Sequence, residues 1–248
     1  MHIDEAGPAD APPLLLLHGG GVSGWMWRPT IAALARPVRT IVPDLPGHGR
    51  SASADYRSHA ETVDALEREL ERRAPGGATV VGFSLGAQLT VLLAARRPDL
   101  VTDAVVVSAQ AKPIAMASLT LGMLAAAAPL ARWQRFARLQ AKELFVPEAL
   151  VPEYLADSAR ITRATLVASV GENLRFTPPA GWGEGTAPAL VAVGARERSL
   201  MRRSAEVLHE ARPSSELRVI EGVGHGLPLQ RPDLMAALLD ARLGHPSG

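Results

Sequence analysis

Ser84 sits between glycines in Gly82-Phe83-Ser84-Leu85-Gly86, with the short β-like run Ala78-Thr79-Val80-Val81 before it and a helical run beginning at Leu85. Strand, abrupt turn and helix make a nucleophile elbow. The turn is so tight that side chains flanking the serine would collide, hence glycine on both sides. The serine is expected in strained backbone geometry, with its hydroxyl projecting from the sheet edge. The helix starting at Leu85 aims its free N–H groups and positive dipole end at the same point, where an oxyanion would develop. A serine hydroxyl is a weak nucleophile until a base takes its proton. His225 follows the β-like run Leu217-Arg218-Val219-Ile220, and it is the only histidine on a loop directly after a late strand. It is read as that base, first taking the serine proton and then handing it to the leaving group. Glu197 lies just past the buried run Pro188 to Gly194, where a carboxylate would hold the imidazole tautomer and stabilise the imidazolium. Each residue also has a plainer reading. Ser84 would be an ordinary turn, His225 a surface-loop histidine, and Glu197 a solvated acid beside Arg196 and Arg198.

The surrounding pattern supplies the elements that must position these groups. Leu14-Leu15-Leu16-Leu17 is a continuous apolar run, as expected of a strand covered on both faces, and it ends in the flexible turn His18-Gly19-Gly20-Gly21. Strands are predicted at 14–17, 38–42, 78–82, 103–108, 188–193 and 216–220, with a short leading strand near 1–5. Helices are predicted at 28–36, 59–74, 85–97, 199–211 and 232–243. This alternation is that of an α/β fold with a mostly parallel central sheet flanked by helices. Ser58 and Glu61 form a capping box before the apolar stripe of Val63, Leu66 and Leu70. Pro232 suits the first turn of the last helix and Gly244 its end. Residues 111–184 break the alternation with helices at roughly 113–128, 132–145, 152–160 and 162–174, then a Pro/Gly-rich exit at 178–183. The core is therefore read as 1–110 with 185–248, interrupted by a helical insertion at 111–184.

Several motifs occur together and in order: the His18 to Gly21 loop, the segment from Val42 to Ser51 containing Pro46-Gly47-His48-Gly49, the elbow, the Gly194 to Glu197 turn and the Gly222 to Gly226 loop. With them the chain resembles the cap-bearing α/β-hydrolases, a group of serine esterases, enol-lactonases and C–C-bond hydrolases. The chain order Ser84, Glu197, His225 is the one found on that fold. The resemblance implies a sheet lacking the outermost strand and a lid formed by 111–184 that shapes the pocket and excludes water. It implies an oxyanion hole from the N–H groups of Gly20 and Leu85. It also implies pocket walls drawn from Gly19, Trp25, Phe83, Leu121, Leu124, Trp133 and Leu227. Aspartate is usual where Glu197 stands, but Ala109, Gln110 and Ala111 offer no acid at the alternative position. His18, Asp44 and His48 read as braces of their loops, Trp27 as core, and Arg132, Arg135 and Arg138 as a solvated face.

The implied activity is cofactor-free hydrolysis of an ester, thioester or lactone of a small-to-medium apolar substrate. C–C-bond hydrolysis, acyl transfer or lyase chemistry on the same fold is the near alternative, and a non-catalytic small-molecule binder is the distant one. Bulk properties agree. The 248 residues suit one α/β domain, and a formal net charge of +1 provides no basic patch for nucleic acid. With no cysteine, disulfide and thiolate chemistry are excluded. No metal-ligand spacing and no P-loop or dinucleotide register occurs, so neither metal nor cofactor is expected. The polar start and the shortness of the apolar stretch from Leu119 to Ala131, which contains Pro129, predict a cytoplasmic protein without a membrane anchor. A monomer or homodimer is expected.

Overall fold

Leu14 to Leu17 alternate between the faces of one strand, and both faces are buried. Leu15 and Leu17 join one apolar cluster, Leu14 and Leu16 the other. A strand enclosed in this way must lie inside a sheet with helices on both sides. The computed structural model describes residues 1–127 and 134–243. Its seven strands are β1 (His2–Ala6), β2 (Pro13–Leu17), β3 (Arg39–Asp44), β4 (Ala78–Phe83), β5 (Val101–Val107), β6 (Ala189–Gly194) and β7 (Glu216–Ile220). They are ordered β1-β3-β2-β4-β5-β6-β7. Only β1, on the edge beside β3, runs antiparallel.

The predicted core helices form as α1 (Arg28–Ala33), α2 (His59–Arg73), α3 (Leu85–Arg96), α9 (Ser199–Ala211) and α11 (Pro232–Leu243). At the start of α2, Ser58 Oγ accepts the Glu61 N–H at 3.1 Å, and Val63, Leu66 and Leu70 are buried. The reciprocal arm of the capping box is replaced by an ion pair of Glu61 with Arg57. Gly244 lies outside the described residues. Between β5 and β6 come α4 (Ala117–Ala127), α5 (Gln134–Glu143), α6 (Val151–Arg160) and α7 (Arg163–Arg175). The Pro/Gly-rich exit is not the irregular link its composition suggests. It forms a short helix, α8 (Ala180–Glu184), because Trp182 is fully buried there, donating its indole N–H to the Leu208 carbonyl at 2.9 Å beneath the Arg212 guanidinium. A further short helix, α10 (Leu227–Gln230), follows the His225 loop. Among the described residues no helix is long and apolar enough to cross a membrane.

Candidate active site

Ser84 takes φ 52° and ψ −109°, outside the regions an L-residue favours, between the end of β4 and the first residue of α3. The sheet enforces this: the Ser84 N–H donates to the Val107 carbonyl at 2.9 Å on the neighbouring strand. A Cβ on Gly82 would stand 2.2 Å from the Gly86 carbonyl oxygen, and one on Gly86 would stand 2.3 Å from that of Leu17. Both contacts are backbone and cannot give way. Gly86→Ala is therefore expected to lower Tm by about 6 °C or more, the effect of roughly 3 kcal/mol of overpacking in a chain of this size. Thermal unfolding followed by circular dichroism measures it. Leu85 opens α3 directly after Ser84, so its N–H lies outside the helix's own ladder.

The glycine loop after β2 is held from beneath. The buried His18 donates from Nδ1 to the Gly19 carbonyl at 2.7 Å and accepts the Leu45 N–H on Nε2 at 2.9 Å. Burial pushes its pKa down, consistent with a neutral brace. Asp44 accepts from the N–H groups of Gly24 and Arg50, and His48 donates to the Pro46 carbonyl. Burial, with His18 nearby, lowers the His48 pKa to about 4. Both histidines thus serve their loops. Gly20 meets the elbow, since a Cβ there would lie 3.9 Å from the Leu85 side chain. Gly19 lies against the Phe83 ring, and that ring also packs beside the His225 imidazole, centroid to centroid 5.2 Å. The residue immediately before Ser84 therefore touches both the glycine loop and the histidine.

His225 Nδ1 and Glu197 Oε2 are 2.7 Å apart. The Glu197 side chain is 0% exposed, so it is not a solvated acid between arginines. Its Oε1 accepts the Ser108 hydroxyl at 2.7 Å and the Gly194 N–H at 2.9 Å. Burial alone would raise the carboxyl pKa. The hydrogen bond and charge of His225, with the donations from Ser108 and Gly194, outweigh that and hold it below its usual value. Arg202 fixes the turn by donating to the carbonyls of Ala195 and Glu197. Ser108 was not legible as part of this group, because only acids are sought after that strand. The available signal was a hydroxyl residue ending the strand next to the one before Glu197.

The segment between β5 and β6 reaches the site at its loops. A Cβ on Gly226 would be 2.5 Å from the Leu144 carbonyl, and Phe145 packs against Gly224, so the end of α5 rests on both sides of His225. Trp25 is buried, its indole N–H donating to Asp157 Oδ2 of α6 at 2.8 Å. It is a tie between the core and this segment. Leu121 packs beside Gly171 of α7, and Leu227 is buried in the cluster that contains Trp25, Trp27 and Phe83. Trp133 and the side chain of Leu124 lie outside the described residues, as do Arg132 and the side chain of Arg135, while Arg138 is exposed. A second tie has no counterpart in the motifs. Tyr56, His59 and Gln88 form a buried hydrogen-bonded chain that ends on Asn173 of α7.

A model of the alpha/beta hydrolase family matches residues 14–238. Over 102 residues the chain is 42% identical to a Mycobacterium tuberculosis esterase, covering 39% of this chain and 33% of that protein. Over 101 residues it is 37% identical to a pimeloyl-[acyl-carrier protein] methyl ester esterase of Vibrio atlanticus, covering 41% and 38%. The matches thus span 33% and 38% of these relatives' length. Among solved structures, a Pseudomonas aeruginosa hydrolase superposes with TM-score 0.83 at 21% identity, covering 98% of this chain and 94% of that one. The enol-lactonase of Burkholderia xenovorans superposes with TM-score 0.81 at 19% identity, covering 98% and 96%. At these identities the superpositions establish a common fold.

Proposed function

Because the chain belongs to the alpha/beta hydrolase family, we propose that it hydrolyses carboxylic esters, thioesters or lactones, with Ser84 as nucleophile, His225 as base and Glu197 as the acid behind it. The observation that carries this reading is the 2.7 Å contact between His225 Nδ1 and a fully buried carboxylate. Such a carboxylate fixes the proton on Nδ1 and leaves Nε2 free to accept one. In the proposed reaction Ser84 Oγ attacks the carbonyl carbon as its proton passes to His225 Nε2. The N–H groups of Gly20 and Leu85 receive the tetrahedral oxyanion, each contributing about 3 kcal/mol of transition-state stabilisation. Collapse breaks the carbonyl C–O or C–S bond and gives that proton to the departing alcohol, thiol or enol, which in a lactone stays tethered to the acyl group. Water then attacks the acyl-enzyme by the same route in reverse, releasing the acid and restoring the serine.

The helices α4 to α7 are assigned to a lid. Supporting this are the Trp25–Asp157 tie and the seat of Leu144 and Phe145 on the His225 loop. The apolar composition of α4, Ala117–Ala127, favours a hydrophobic acyl group. Named relatives that act on a methyl ester and on an enol lactone agree with a carboxylic ester substrate. The purified chain is expected to turn over p-nitrophenyl esters of short to medium acyl length, with a burst of one p-nitrophenol per active site as the acyl-enzyme fills. Folded protein that turns over neither these esters nor simple lactones would overturn the reading.

A further inference from the structure

We propose that Ser108 is a positioning residue of this reaction, anchoring the Glu197 carboxylate so that its other oxygen faces His225. The inference rests on the reaction proposed above. A glutamate carries its carboxylate on three rotatable bonds, and all of them must be frozen to hold one oxygen on an imidazole. The structure freezes them from one side. Oε1 is taken by Ser108 and Gly194, leaving Oε2 for His225. The Gly194 N–H lies on the same turn as Glu197 and moves with it. Of the two donors on Oε1, Ser108 is the one that comes from another strand end.

The placement of Ser108 has a conformational cost. It directly follows β5 and holds φ 56°, in the left-handed region that non-glycine residues seldom enter. Its N–H donates to the Ala192 carbonyl of β6 at 2.9 Å. Backbone and side chain thus bind the end of β5 to the strand and turn that carry the acid. Glycine would occupy this φ without strain. Serine adds the donor that glycine lacks, and its hydroxyl acts through Glu197.

Two variants separate hydroxyl from backbone. Ser108→Ala keeps the strain and removes the donor, whereas Ser108→Gly removes both. Each is expected to lower kcat for a p-nitrophenyl ester by about 10-fold with little change in KM, the effect of losing one hydrogen bond to a charged group. With one donor fewer, the carboxylate becomes more basic, and whether it holds His225 as imidazolium or takes a proton itself, the active form is lost at higher pH. The acid limb of kcat/KM therefore shifts upward, which a merely structural role for Ser108 would not cause. In a Glu197→Gln background, Ser108→Ala should change kcat less than 2-fold. The NMR resonance of the His225 Nδ1–H provides a readout independent of turnover: it shifts in Ser108→Ala as the carboxylate it faces is released. Full kcat with an unmoved limb, an unshifted His225, or an equal loss in the Glu197→Gln background would overturn the proposal. Absence of esterase turnover in the parent protein alongside a shifted His225 would instead count against the catalytic reading alone.

Discussion

Ser84→Ala is expected to lower kcat/KM for ester substrates by at least about 10⁴-fold while leaving the fold intact. The loss is large because the other members of the constellation act only on that hydroxyl. His225 has no serine proton to take, and the proposed oxyanion donors can stabilise only the much slower adduct of direct water attack. The residual rate would be that of water positioned in the same site. Alanine leaves φ at 52°, so Tm should stay within a few degrees of the parent. Ser84→Gly makes a useful second variant. It is equally inactive, but it relieves a strained position costing about 1–3 kcal/mol and should raise Tm. An inactive protein with higher Tm would identify Ser84 as a residue kept for chemistry at the expense of stability. Steady-state kinetics and calorimetry on the two variants decide it.

Glu197→Gln carries the second large effect, a fall in kcat of about 10⁴-fold near neutral pH. The amide keeps the shape but not the pattern of acceptors. Glu197 receives three donors, from Ser108, Gly194 and His225. A glutamine turned to accept from Ser108 and Gly194 presents its NH₂ to His225, which forces the proton onto the wrong ring nitrogen. Turned the other way, it sets its NH₂ against the N–H of Gly194. The same exchange tests the carboxyl's lowered pKa. A group whose pKa falls on folding stabilises the native state fully above its unfolded value, about 4.5 for glutamate, and loses that contribution as pH drops through the lower folded value. The Tm gap between parent and Glu197→Gln should therefore be widest above about pH 5 and close progressively on acidification. A gap that stays constant with pH would show that Glu197 is not held as a carboxylate.

How much could be read before the structure depended on whether a residue's role leaves a mark nearby in the chain. The elbow was legible because close backbone approach demands glycine, and Gly82 and Gly86 each face a carbonyl that would exclude a Cβ. His225 and Glu197 were legible from their places just past strand ends, which a parallel sheet brings to one edge. The alternation of strands and helices was legible for the same reason that Leu14 to Leu17 were: a doubly covered strand is apolar throughout.

Roles defined by distant partners left no such mark. Nothing near Trp25 announces Asp157, and nothing near Ser108 announces Glu197, yet both pairs are buried hydrogen bonds. Helical spacing in the insertion indicates which residues share a face but not what that face meets, and nothing near Leu121 announces Gly171, beside which it packs. At residues 178–183 local turn signals suggested an irregular link, and the burial of Trp182 outweighed them.

The central claim, that Ser84 is the nucleophile, is tested most directly by reacting the native chain with a fluorophosphonate and locating the adduct by peptide mass spectrometry. One phosphonate per chain, on the peptide containing Ser84, with ester turnover lost in proportion to labelling, is the predicted result. An adduct on another residue, or undiminished turnover once Ser84 is fully modified, would contradict it.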